Sequence, residues 1–267
     1  MTGVAVVFDS AGTLLHMYRA AKEIKSSTLS YDIVTTELAL KNPNYGIIIL
    51  HIEPGILLQM DPNQRIYHKI DSSDIEVSIV CSSTPVTIND ALSIIRSDTK
   101  AMVSDLQDVL RAVSKGCNDE RYMGVGLMID KGENNIAYTL STAGSLFPGV
   151  GGVISQLKEM GVDIFIASGD KQEDVEFIAQ SIGVKKGHTF GQSTPQCKSE
   201  IIKNLKRACE KVVMVGDAIN DVMAFREADL AVLTVQQRNV RPERLSHESD
   251  VIIDHISQII PLVRDIL

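Results

Sequence analysis

Four short segments carry the side chains able to do chemistry. Asp9 follows the apolar run Val4 to Phe8 and opens Asp9-Ser10-Ala11-Gly12-Thr13. Ser168-Gly169-Asp170 follows a second apolar run that closes at Ala167. Lys198 sits early in a helical segment. Gly216-Asp217-Ala218-Ile219-Asn220-Asp221 follows Val212 to Val215. A carboxylate on a loop is a competent covalent nucleophile for phosphoryl transfer. Its negative charge opposes attack on an anionic phosphate, so positive charge is needed nearby. Mg²⁺ held by carboxylates and carbonyl oxygens would supply much of it, and Lys198 would be the fixed cation. Asp217 and Asp221 lie four residues apart and can face one cavity from a loop and a first helical turn. Ser168 and the backbone N–H groups around Gly169 can receive phosphate oxygens at a helix N-terminus.

These segments need elements that bring them together. In an open parallel sheet the strand ends lie along one edge, where ligands bind. From about residue 143 onward the pattern alternates regularly. Helices are predicted over Gly149–Met160, Glu173–Ile182 and Ser257–Leu267, with another opened by Thr194-Pro195. Strands are predicted at Asp163–Ala167, Thr189-Phe190, Val212–Val215, Leu230–Thr234 and Val251–Ile253. Such alternation implies a parallel sheet covered on both faces.

Residues 16–142 interrupt that pattern as an insert. Tyr31–Leu40, Gly46–Ile52, Gly55–Gln59, Arg65–Lys69 and Ile75–Cys81 read as strands from their β-branched content and flanking turns. Thr87-Ile88-Asn89-Asp90 reads as a capping box. Asp98 reads as the cap of a longer helix through Leu106, Leu110 and Val113, stopped by Gly116. Met123–Asp130 and Asn135–Leu140 read as a hairpin.

At the four chemical segments the chain resembles the haloacid dehalogenase superfamily, and most closely the phosphorylation domain of P-type ATPases. The resemblance covers roughly residues 1–15 and 145–267. It implies an α/β fold: a Rossmann-like core over 1–15 and 143–267, with an inserted α+β cap over 16–142. It implies a phosphohydrolase with an aspartyl-phosphate intermediate on Asp9, assisted by Lys198, and a requirement for Mg²⁺. Asp9, the carbonyl of Ala11, Asp217 and Asp221 fall on the metal side. Ser168, Gly169, Asn220 and Thr13 fall on the phosphate side. Asp170 matches a helix cap and loop organiser.

One departure stands out. Most phosphatases of this superfamily carry Asp two residues after the nucleophile, as general acid and base. Here that position is Ala11, which transfers no proton. Hydrolysis of the phospho-aspartate is then expected to be slow, because positioned acid–base catalysis contributes roughly 10²–10⁴-fold. His16, just beyond the loop, is one candidate substitute. Alternative readings are a soluble ATPase or phosphotransferase whose cap binds nucleotide near Gly124-Val125-Gly126, and a regulatory protein with negligible turnover. A third, carbon–phosphorus cleavage, needs a cap lysine such as Lys22, Lys25, Lys41 or Lys69. Arg19, Arg65, His68, Arg96 and Arg121 are possible substrate contacts.

Composition agrees with a packed enzyme. The 267 residues are 44% hydrophobic and 22% charged, with a net charge of −8. That charge argues against nucleic-acid or anionic-membrane partners. No run of about eighteen apolar residues offers a membrane span. Cys81, Cys117, Cys197 and Cys209 are scattered too widely for a metal pair or disulfide framework, which favours a reduced, cytoplasmic setting. The expected partner is a small phosphorylated metabolite or a nucleotide.

Overall fold

The structure, a computed structural model, describes residues 3–40, 42–72, 75–82, 84–117, 119–237 and 243–267. Lys41 lies outside the described residues, as does the Cys81 side chain. In chain order the first elements are β1 (Val4–Phe8), β2 (Leu15–Glu23), β3 (Leu29–Tyr31), α1 (Thr35–Leu40), β4 (Tyr45–His51), α2 (Pro54–Gln59) and α3 (Ile66–Ser72). Then come β5 (Glu76–Ser82), α4 (Ile88–Ser97), α5 (Val103–Ser114), β6 (Met123–Asp130) and β7 (Asn135–Leu146). The remainder is α6 (Val150–Glu159), β8 (Asp163–Ala167), α7 (Gln172–Ser181), β9 (Thr189–Phe190), α8 (Pro195–Leu205) and β10 (Lys211–Gly216). The chain closes with α9 (Val222–Phe225), β11 (Leu230–Thr234), α10 (Glu243–Ser246), β12 (Val251–Ile253) and α11 (Ile259–Arg264). The chain divides into two compact units, Met1–Met17 with Leu146–Leu267, and Tyr18–Ser145.

The first unit is built on a six-stranded sheet in the order β12-β11-β10-β1-β8-β9, and every recorded pairing in it is parallel. β1 lies inside the sheet, and all five of its residues, Val-Ala-Val-Val-Phe, are buried. A continuous apolar run is what a parallel strand covered on both faces requires. Phe8 pairs with Val215 of β10 on one side and Ile166 of β8 on the other. The strands flanking β1 therefore end level with it. α8 begins as its sequence dictates: the Thr194 hydroxyl accepts from the Cys197 N–H at 3.2 Å, and Pro195 takes the first helical position.

The second unit carries a separate sheet, β3-β2-β7-β6-β4-β5, antiparallel in each recorded pairing. Ile48, Leu127, Ile129, Leu106 and Leu110 lie in its core. The α4 capping box is present: Thr87 Oγ1 accepts from the Asp90 N–H at 3.1 Å, and Asp90 Oδ2 accepts from the Thr87 N–H at 3.0 Å. The predicted hairpin is present as β6 paired with β7, the second strand running on from Leu140 to Leu146.

Three predicted strands of this unit are corrected. Tyr31–Leu40 is the end of β3 followed by α1, Gly55–Gln59 belongs to α2, and Arg65–Lys69 falls largely in α3. Pro54 at the first position starts α2. In α3, Ile66 and Ile70 are both buried, a four-residue spacing that serves a helix face. In α1, tertiary packing of Ala39 overrides the strand preference of Thr35 and Thr36. Asp98 does not cap α5. It follows α4, where its carboxylate accepts from the N–H groups of Lys100, Ala101 and Ile136 at 2.7–2.9 Å. Gly116 lies just past α5, its N–H bonded to the Val113 carbonyl. The predicted closing helix Ser257–Leu267 is a 3-10 turn at Ile256–Gln258 followed by the short α11.

Burial first, and then the Glu23 carboxylate, push the Tyr138 phenol up to about 12. Its hydroxyl donates to Glu23 Oε1 at 3.3 Å. A raised phenol favours the protonated fold, so this stabilisation is intact below pH ~10 and is lost from there toward pH ~12. A difference titration of phenolate absorbance, wild type against Tyr138→Phe, is expected to show a midpoint near the upper value. A midpoint at the free-phenol value would contradict it.

Candidate active site

Three adjacent strand ends build the site. β1, β8 and β10 are parallel, so the residues just beyond them, Asp9, Ser168 and Asp217, emerge on the same sheet edge. The Asp9 N–H donates to the Val215 carbonyl at 2.8 Å, which fixes the nucleophile candidate against β10. After it the chain folds tightly. The Ser10 carbonyl accepts from the N–H groups of Thr13, Leu14 and Leu15, and the Gly12 N–H donates back to the Leu15 carbonyl at 2.7 Å.

Gly12 is required twice over. Its φ is +85°, a region that disfavours side chains. A Cβ there would also overlap the Asp217 carboxylate. Gly12→Ala is expected to destabilise the protein by about 1–3 kcal/mol through this strain and to lower activity. Chemical denaturation checks the first effect, and wild-type stability in the variant would refute it.

Lys198 joins the acidic groups. Its Nζ donates to Asp9 Oδ1 at 2.5 Å and to Asp221 Oδ1 at 2.6 Å, and its side chain is fully buried. Asp221 ends a 3-10 turn that starts at Ile219, and its other oxygen accepts from the N–H groups of Asp217 and Ala218 at 3.1 and 3.2 Å. Gly216 permits this approach, since a Cβ there would sit 2.5 Å from Asp221 Oδ2. Burial disfavours the Lys198 ammonium, but the carboxylates of Asp9 and Asp221 overcome it and hold the amine above its ordinary range. Burial pushes the Asp9 carboxyl up; Lys198 opposes that, while Asp221 and Asp217 add to it. Lys198 brings one positive charge to the three carboxylates of Asp9, Asp217 and Asp221.

Asp9, Asp217 and Asp221 each offer an oxygen within 4.8 Å of one another. This all-oxygen, anionic donor set fits a hard divalent cation such as Mg²⁺. The hydroxyls of Ser10 and Thr13 are buried and make no hydrogen bond among the described residues. Orphaned buried polar atoms are costly unless a ligand satisfies them.

The other predicted site residues are placed as follows. Ala11 is half-buried within the nucleophile loop. Ser168 Oγ is buried and donates to Asp170 Oδ2 at 2.8 Å, so Asp170 orients it. Gly169 is exposed, with open space where a Cβ would be. Asn220 is half-buried in the 3-10 turn and makes no hydrogen bond to the carboxylates among the described residues. The His16 ring packs edge-on against Phe147 at 5.4 Å. In the second unit, Arg96 pairs with Asp71 and Arg121 with Asp119, Arg65 donates to the Lys100 carbonyl, and Lys22 pairs with Asp105 and Asp108. Sequence reading missed Gln236 and Gln237, whose amides reach the segment from Thr13 to Met17. The signal available was an adjacent amide pair just past a strand that neighbours β10.

A family model described as haloacid dehalogenase-like hydrolase matches residues 4–229. A protein of Methanocaldococcus jannaschii described as a soluble P-type ATPase-like phosphatase is 31% identical over 264 residues, covering 99% of this chain and 94% of that protein. A probable copper-importing P-type ATPase A of Enterococcus hirae is 38% identical over 79 residues, which span 30% of this chain and 11% of that ATPase. Among solved structures, the catalytic domain of the CPx-ATPase CopB-B aligns over 97% of this chain and 88% of its own, at 15% identity and a TM-score of 0.48.

Proposed function

Because the chain belongs to the haloacid dehalogenase-like hydrolases and is a phosphohydrolase, we propose that it is a Mg²⁺-dependent phosphatase working through an aspartyl-phosphate on Asp9. The observation that carries this reading is the buried Lys198 held between Asp9 and Asp221 beside Asp217 at one sheet edge. An Asp9 oxygen attacks phosphorus, the bond to the leaving-group oxygen breaks, and that oxygen takes a proton from solvent. Lys198 offsets negative charge on the transferring phosphoryl group. Ser168, the Gly169 N–H, Asn220 and Thr13 hold its other oxygens. Water then attacks phosphorus, releasing inorganic phosphate and restoring the Asp9 carboxylate. Asp9, the Ala11 carbonyl, Asp217 and Asp221 would hold Mg²⁺, which when bound supplies the charge neutralisation that lets an anion approach a phosphate.

Ala11 carries no proton, so the second step has no general base at the usual position. His16 packs on Phe147, and nothing in that contact supports a proton-transfer role for it. Attack is therefore expected to outrun hydrolysis. The substrate is a small phosphorylated metabolite or a nucleotide. Free thiols at Cys117, Cys197 and Cys209 support a cytoplasmic setting. Among the described residues no helix is long and apolar enough to cross a membrane.

A second reading rests on a cavity of about 150 Å³ in the second unit, lined by Ile47, Leu140, Thr142, Gly124 and Gly126 among others. A nucleotide base would suit its apolar wall, making the protein a soluble ATPase or phosphotransferase. Gly126 has another explanation: a Cβ there would lie 2.5 Å from the Ile48 carbonyl, so close strand packing alone requires it.

An intact-mass time course with Mg²⁺ and either ATP or a small phosphate monoester tests the proposal. One added phosphoryl group on the wild type, absent in Asp9→Asn, is the expected result. Phosphate release without any adduct in rapid-quench samples would reject slow hydrolysis. The productive donor separates the two readings, since a nucleotide site also raises the melting temperature with added nucleotide.

A further inference from the structure

Gln236 and Gln237 sit just beyond β11 and spend both side-chain amides on backbone groups. Gln236 Nε2 donates to the Thr13 carbonyl at 2.6 Å, while its Oε1 accepts from the Ile256 N–H at 3.1 Å. Gln237 Oε1 accepts from the Met17 N–H at 2.7 Å, and its Nε2 donates to the Met17 carbonyl at 3.1 Å. That two-point contact imitates one rung of a β-ladder. The rest of the loop is tied by backbone: Ser10 and Leu15 carbonyls accept loop N–H groups, and the Leu14 carbonyl accepts from Phe147. The Thr13 carbonyl instead takes its donor from the Gln236 side chain. A side-chain amide offers an uncharged donor and acceptor side by side; a carboxylate cannot donate, and an ammonium cannot accept.

We propose that Gln236 and Gln237 are positioning residues that hold the loop from Asp9 to Met17 in its attacking shape. The inference rests on the reading of Asp9 as nucleophile. A loop closed by tight turns transmits a shift at Thr13 or Met17 to the carboxylate, and small misplacements are expensive in phosphoryl transfer. A misplacement of about 1 Å can cost on the order of 10²-fold. Groups that orient a reacting side chain without touching substrate lower the rate of the chemical step rather than substrate affinity.

The test uses the full chain with Mg²⁺ and para-nitrophenyl phosphate as probe. Gln236→Glu keeps the length but sets a carboxylate against the Thr13 carbonyl, and Gln237→Leu removes both contacts at similar size. Gln180→Ala, exposed on α7, is the control. The single-turnover rate of adduct formation on Asp9 is expected to fall about 10- to 100-fold in both variants, with the donor concentration that half-saturates it little changed, and the control is expected to match wild type. Amide hydrogen exchange at Gly12–Leu15 should quicken while β10 exchanges as before. An unchanged rate of adduct formation with unchanged loop exchange overturns the proposal. So does a parallel loss of that rate, affinity and protection across β10, which would mark general destabilisation. If wild type and Asp9→Asn turn over equally little, the phosphatase reading fails instead, and loop exchange alone decides: faster exchange supports the two glutamines as loop holders, and unchanged exchange removes them.

Discussion

Asp9→Asn is expected to reduce turnover by roughly 10⁴-fold or more and to leave no phosphoryl adduct on the protein. The substitution keeps shape and keeps an oxygen able to accept from Lys198, but an amide is not a nucleophile toward phosphorus. Lys198 retains Asp221 at 2.6 Å, so the buried ammonium is not stranded. The fold should therefore survive. Its melting temperature is expected at or above that of wild type, because burial and two neighbouring carboxylates press against a charge on Asp9. Steady-state assay, intact mass and calorimetry read the three consequences. Residual activity near wild type would remove the covalent mechanism, whereas lost activity with lost folding would show only that the site holds the sheet edge together.

Ala11→Asp is expected to move in the opposite direction. It places a carboxylate two residues after the nucleophile, where a positioned base contributes on the order of 10²–10⁴-fold. The gain should appear in the decay of pre-formed phosphoenzyme followed after a chase, and in the steady-state rate only if hydrolysis limits it. Ala11 is half-buried, so the added side chain displaces little packing. A decay rate equal to wild type would mean that another group already activates the water.

The core was largely legible from its sequence because its strands are continuous apolar runs and its helices carry strong start signals. Val4–Phe8 and Asp163–Ala167 could be little else, and Thr194-Pro195 sets the start of α8. The carboxylate and lysine positions were legible because each follows such a strand or cap. The second unit was harder. Ile66 and Ile70 hold a helical spacing inside a stretch rich in strand formers, and the helix won through packing. β2, running from Leu15 to Glu23, carries a mixed polar pattern with only Leu15, Ala20 and Ala21 buried, and it left no clean period to read. The two glutamines left only the faint signal of an adjacent amide pair, because their role lies in contacts 220 and 223 residues away along the chain.

The place of β1 inside its sheet has a consequence for the order of synthesis. Its pairing strands β8 and β10 begin only at Asp163 and Lys211. At ribosomal speeds of 5–20 residues per second, the gap from Val4 to Lys211 corresponds to roughly 10–40 s. For most of that interval, until β8 is made, a wholly apolar strand waits without either neighbour, a template for wrong pairing. The nascent chain is thus most vulnerable at the very segment that later presents Asp9.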